Sequence, residues 1–124
     1  MPKQVELKSG LTLDTPFGGN LSVTLYAATY AAGGLALELV TEHPEGWTEP
    51  VARVSVFFPN ETLADNEFFC KDWSENEGIA DWLEENHLAT RIPGGRASGF
   101  VYADRFRLSE ELTAKLREAR HEPA

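Results

Sequence analysis

One cysteine, one methionine and eleven basic residues are all that 124 positions supply. With Cys70 alone there is no internal disulfide to staple the chain, so a reducing compartment, the cytoplasm, is the expectation. Long apolar runs are also missing. The most apolar stretch, Leu21 to Val40, is interrupted by Ser22, Thr24, Thr29, Gly33, Gly34 and Glu38, which excludes a spanning helix. Met1 to Gly10, MPKQVELKSG, lacks the apolar core of a secretory signal. His43, His87 and His121 stand at no metal-ligand spacing to each other or to Cys70, so neither a metal nor a cofactor is expected.

Repeats, low-complexity tracts and linkers are absent too, and the 42% apolar and 25% charged content is that of an ordinary folded chain. Residues 1–124 are therefore read as a single domain with one core: an N-terminal segment with short strands (1–19), a sheet plus central helix (20–108) and a C-terminal helix (109–120).

What the sequence does have is negative charge, and it is concentrated. The net charge is -9, yet residues 1–37 sum to zero and residues 86–124 to +2, so the middle third, 38–85, carries -11. Such a field repels nucleic acid, which argues against direct DNA or RNA binding.

Alternation with period two dominates the first half. Leu21, Val23, Leu25 and Ala27 against Ser22, Thr24 and Tyr26 spell a half-buried strand. Gly33-Gly34 supplies a turn, since glycine takes positive φ without a Cβ clash. Leu35, Leu37 and Leu39 form the next strand. Val51 to Phe58 reads as its partner, with Ala52, Val54, Val56 and Phe58 on one face and Arg53 and Ser55 on the other. A short strand is expected at Asn66 to Lys71. Ser74 with Glu77 three residues on fits a capping box and predicts a helix from Glu75 to about Asn86. Pro93-Gly94-Gly95 predicts a loop, and Ser98 to Leu108 a strand rich in bulky β formers. Ser109 caps a last helix with acids in its first turn and bases toward its end. The class is α+β, an antiparallel sheet of four to five strands with two helices, central and C-terminal.

No cluster reads as a catalytic centre, and the chain is not expected to be an enzyme. Cys70, after Phe68-Phe69, has the surroundings of a core thiol. The run Gly94 to Gly99 lacks the Gly-Lys-Ser or Gly-Lys-Thr ending and the following helix of a phosphate-binding loop. Arg91 and Arg96 in that region leave open a small-ligand or enzymatic site. On the central helix Glu77, Asp81, Glu84 and Glu85 gather on one side at the three-to-four spacing that makes them neighbours, where like charges repel by a few tenths of a kcal/mol per pair. No base stands between Asp72 and His87 to relieve them. The row, with Asp72, Trp73 and Glu75, is thus a candidate face for a cationic partner. Trp47, in a Glu-rich loop, is a candidate contact anchor.

Asn66 to Gly78 (NEFFCKDWSENEG) and the later Gly94-Gly95-Arg96-Ala97-Ser98-Gly99-Phe100-Val101 resemble a small bacterial domain family of unknown function carried by conjugative elements and phages. The matching pieces, in order, are Gly34 to Val40, Asn66 to Phe68, Ser74 to Gly78 and Gly95 to Phe100, and the resemblance covers about residues 20–108. The longer basic C-terminal helix and the wide Glu42 to Pro50 loop depart from the pattern. The resemblance brings no activity, but it implies a setting in which small acidic proteins disarm host defences. The expectation is therefore a non-enzymatic acidic binding protein, of the anti-CRISPR or antirestriction kind, that occupies a basic nucleic-acid-binding surface. The partner would be a basic protein surface, not a nucleic acid or a membrane. An oligomeric accessory domain, joined through an open sheet edge or the last helix, is the remaining alternative.

Overall fold

A computed structural model describes residues 4–14, 19–31, 33–43, 45–58 and 61–121, the side chains of Glu75, Ser98 and His121 excepted. It contains two four-stranded antiparallel sheets and two helices. The α+β class stands, but the expected sheet of four to five strands is corrected to eight strands in two sheets.

The first sheet is a meander of β1 (Val5–Asp14), β2 (Asn20–Thr29), β3 (Leu35–Glu42) and β4 (Thr48–Arg53), in that order. Val23, Leu25 and Ala27 turn inward as the alternation requires, and Leu37 and Leu39 face the same core. The N-terminal segment, read as short strands, contains a ten-residue strand instead. Its signal is faint because bulges between Glu6 and Lys8 and between Lys8 and Leu11 break the period.

The second sheet has the order β5 (Ser55–Val56), β6 (Glu67–Cys70), β8 (Val101–Leu108) and β7 (Ala89–Ser98). The expected single strand from Val51 to Phe58 is thus split between sheets. At the split the Val54 amide donates to Leu37 C=O in the first sheet (3.0 Å), while its own carbonyl accepts from the amide of Lys71, the residue just after β6 of the second (2.8 Å). Val54 and Ser55 are consecutive and both buried, which no half-exposed strand permits. The Ser55 hydroxyl accepts the Leu37 amide at 2.9 Å and meets Tyr30 Oη at 2.8 Å, so its burial leaves no unpaired hydroxyl.

The Pro93 to Gly99 region also differs from expectation. Residues 93–98 belong to β7, with an irregularity between Ile92 and Arg96, and the hairpin turns at Gly99-Phe100. Gly95 is required there by close approach: a Cβ would lie 2.6 Å from the Tyr102 ring and hydroxyl and 2.7 Å from Ala103 C=O.

The central helix is shorter than predicted. A 3-10 turn spans Ser74–Asn76, Gly78 takes the left-handed conformation, and α1 runs only from Ile79 to Glu85. The expected Ser74–Glu77 capping box does not form, because Ser74 itself has φ 58°. Instead Asp72 Oδ1 accepts the Gly78 amide at 2.9 Å and the Ala80 amide at 3.2 Å. This places an anion on free helix donors from outside the helix. The last helix, α2 (Glu110–His121), follows the reading closely: Ser109 Oγ accepts the Leu112 amide at 3.2 Å, and Leu112 and Leu116 are buried.

Both sheets and both helices share one apolar cluster, from Leu7 and Leu25 through Val54 and Phe68 to Leu83, Phe106 and Leu116. Two carbonyls of β1, the end strand of the first sheet, take side-chain donors. Lys115 Nζ donates to Leu7 C=O at 3.1 Å and Trp82 Nε1 to Thr12 C=O at 2.9 Å. Carbonyls that would otherwise invite another strand are thereby satisfied. No helix among the described residues is long and apolar enough to cross a membrane.

Candidate functional site

Among the described residues, many carboxylates of the acidic middle third are paired with bases instead of standing free as the sequence suggested. Arginines from β7, β8 and α2 fold back onto it. Arg91 pairs with Asp81 at 2.8 Å and Glu84 at 3.2 Å, Arg96 with Glu61, Arg105 and Arg107 with Glu67 at 2.5 and 3.2 Å, and Arg117 with Asp65 at 2.8 Å. The physical reason is topological: antiparallel pairing brings the basic tail of the sequence beside β6 and α1.

Each predicted contact residue whose side chain is described then has a definite place. Asp81 and Glu84 lie on α1 but hold Arg91, and Glu84 also accepts the Arg91 amide at 3.2 Å. Asp72 is engaged as a cap. Trp73, half-buried, opens the 3-10 turn. Glu77 and Glu85 are exposed and make no ion pair among the described residues. Glu75 lies outside the described side chains. Among the described side chains, the row is therefore reduced to Glu77 and Glu85.

Trp47 keeps the place its sequence gave it. It is 49% exposed in the connection between β3 and β4, and its ring stacks on His43 with centroids 3.6 Å apart. Its indole N–H donates to Glu45 Oε2 at 3.2 Å, and His43 Nε2 sits 2.7 Å from Glu49 Oε2. Glu42, Glu45 and Glu49 are all exposed around it. An aromatic ring held in one orientation inside an acidic rim loses little freedom on binding, which favours contact.

Arg91 and Arg96 are both paired with carboxylates. Arg91 is enclosed by Asp81, Glu84 and Asp104, the last at 3.5 Å, and the Asp81 hydrogen bond in particular pushes its guanidinium further toward the charged form. Neither arginine lines a groove of about 570 Å³ beside Tyr30 and Arg53 or one of about 350 Å³ beside Phe58 and Phe69. Burial pushes the Cys70 thiol up to about 12, with Asp72 and Asp104 adding to it, so it is inert at neutral pH. No group of three or more His, Cys, Asp or Glu side chains among the described residues is arranged to hold a metal.

Two features escaped the sequence. Glu67 is a buried carboxylate, 5% exposed, that accepts the Ala64 amide at 3.0 Å as well as both arginines. Burial pushes its pKa up, but hydrogen bonds from Arg105, the Ala64 amide and Arg107 outweigh that and leave it below the ordinary carboxylate range. The alternation of Arg105 and Arg107 with core Phe106 was its only available signal. The second feature is the β7–β8 hairpin tip, where Phe100 is wholly exposed and Tyr102 57% exposed.

Comparison with protein-family models, with characterised proteins and with solved structures returns no match to this chain.

Proposed function

We propose that this chain is a non-enzymatic acidic binding protein that docks on a basic protein surface. The setting implied by its resemblance to a mobile-element family gives the concrete form of the reading: an inhibitor that covers the nucleic-acid-binding surface of a CRISPR or restriction complex. The observation that carries it is the preset Trp47 ring, stacked on His43 and rimmed by Glu42, Glu45 and Glu49. Aromatic anchors of this kind dominate binding energy at interfaces, with charged rims setting on-rate and salt dependence. The pairing of Asp81 and Glu84 with Arg91 moves the proposed contact from the central helix to the β3–β4 connection, leaving Glu77 and Glu85 as secondary contacts.

The test is competition. A purified CRISPR effector or restriction complex is mixed with labelled target DNA and increasing amounts of this protein. The reading expects displacement of the DNA, weakened about tenfold or more by Trp47→Ala and several-fold by Glu45→Gln with Glu49→Gln, and reduced as salt shortens the Debye length. DNA displacement that is indifferent to Trp47→Ala and to both Glu changes removes the β3–β4 connection from the reading. No displacement of DNA from any such complex removes the inhibitor form of it.

A further inference from the structure

The outward face of the second sheet is basic in a chain that is otherwise acidic. Directly opposed residues of antiparallel strands share a face. The register sets Glu67 opposite Arg107, Phe69 opposite Arg105 and Arg96 opposite Ala103, all pointing away from the core residues Phe68 and Phe106. Arg96, Arg105 and Arg107 against Glu67 leave this face at +2, and Arg117, reaching over from α2, makes it +3. The whole chain is at -9.

Residues 61–66 lie along this face without helix or strand. Glu61 pairs with Arg96, whose guanidinium also lies 5.2 Å from the centroid of the Phe58 ring. The Ala64 amide donates to Glu67, and Asp65 takes a two-pronged bond from Arg117 at 3.0 and 2.8 Å. Thr62 and Leu63 border the groove of about 350 Å³ with Phe58 and Phe69. The two ion pairs are exposed, between 35% and 51% at each partner. Pairs of that kind shift a local equilibrium by about fivefold or less and are screened by salt. Toward Glu61 the segment is thus held weakly, whereas its far end is anchored: the Asn66 carbonyl accepts the Leu108 amide at 2.9 Å and Asn66 Nδ2 donates to Thr113 Oγ1 at 3.3 Å.

We propose that residues 61–66 are an autoinhibitory strap over a cationic face of the second sheet, and that this face takes an acidic extended peptide from a partner when the strap lifts. The chemistry of the occupant follows from the one already there: a non-helical stretch with carboxylates four residues apart, read by guanidinium forks that match carboxylates in pairs. Tethered at both ends, the strap enjoys an effective concentration near the millimolar range, so a competing segment gains access only where the two latches are loosened. This site is separate from the Trp47 contact and stands or falls without it.

The probe is a fluorescein-labelled peptide copying residues 61–67, followed by anisotropy with the full chain, and a single-stranded oligonucleotide of similar length serves as the second probe. The combined change Glu61→Gln with Asp65→Asn is expected to bind the peptide several-fold more tightly than the unaltered protein, up to about 25-fold if both latches are at their strongest. That gain should fall with added salt and vanish when Arg96→Ala and Arg117→Ala are introduced as well. All four positions are at least partly exposed, and circular dichroism verifies that each variant is folded. Equal peptide binding by the unaltered and strap-neutralised proteins overturns the proposal. So does a gain that survives loss of Arg96 and Arg117, or a preference of the neutralised protein for the oligonucleotide.

Discussion

Replacing Glu67 by alanine strands two arginines at once, and the structure allows the cost to be worked. Breaking a buried ion pair by deleting one partner costs about 3–5 kcal/mol when the survivor stays buried. Here the survivors differ. Arg107, with 55% of its side chain exposed, returns to water and contributes as a surface pair would, about 0–1 kcal/mol. Arg105, 28% exposed, keeps part of the burial penalty, and its Nε has no hydrogen-bond partner among the described residues. The Ala64 amide also loses its acceptor, worth about 1 kcal/mol. Together these place Glu67→Ala at about 2–3 kcal/mol. Glu67→Gln, which keeps the volume and one carbonyl acceptor, falls at about 1–2 kcal/mol. Urea unfolding at neutral pH measures both, with an unchanged slope as the sign that only stability moved.

The sign with pH follows from the same site. A carboxyl whose folded pKa lies below its unfolded value stabilises the native state above the unfolded pKa, and that contribution is lost as pH falls through the folded one. Glu67 behaves this way, and so does Asp65, whose pKa is lowered first by its hydrogen bond from Arg117. Stability should therefore be level near neutrality and decline below about pH 4.3, the ordinary glutamate value, with Glu67→Gln flattening that acid limb. A Glu67→Ala variant that loses less than about 1 kcal/mol, or a Gln variant with an unaltered acid limb, would refute the account of this cluster.

Three further outcomes are expected. Asp72→Ala removes the acceptor for the Gly78 and Ala80 amides and should cost about 1 kcal/mol, seen as lost hydrogen-exchange protection at the start of α1. Gly95→Ala drives a methyl into Ala103 C=O as well as into Tyr102, and because the carbonyl is backbone, trimming Tyr102 to alanine should rescue only part of a loss of about 1–3 kcal/mol. Cys70, fully buried with its thiol pKa near 12, should resist a disulfide-exchange reagent in the folded protein and react only as fast as the chain opens.

The sequence disclosed elements whose burial is one-sided and hid those whose burial is shared. The period of Val23, Leu25 and Ala27 and the Ser109 cap with Leu112 and Leu116 were readable because each element meets the core with one face. All four residues of β6 are buried, on both faces, so its hydrophobicity revealed a strand but not its central position. Ser74 and Glu77 had the spacing of a cap, but a positive φ at Ser74 followed by Gly78 overrode it, and neither follows from spacing. The candidate site fared similarly. The exposed setting of Trp47 was readable because its contacts, His43 and Glu45, are local. The pairing of Asp81 and Glu84 was not readable because Arg91, ten residues from Asp81, returns beside them only through β7.

The peptide unit around Val54 gives one amide to one layer and one carbonyl to the other. A molecule wired in this way has no seam along which half of it can melt while the rest survives, so heat and denaturant should take it apart in a single step by every probe. It also makes position 54 a poor place to divide the chain. Fragments ending and beginning there would each hold a nearly complete set of strands yet lack the continuous backbone that couples them.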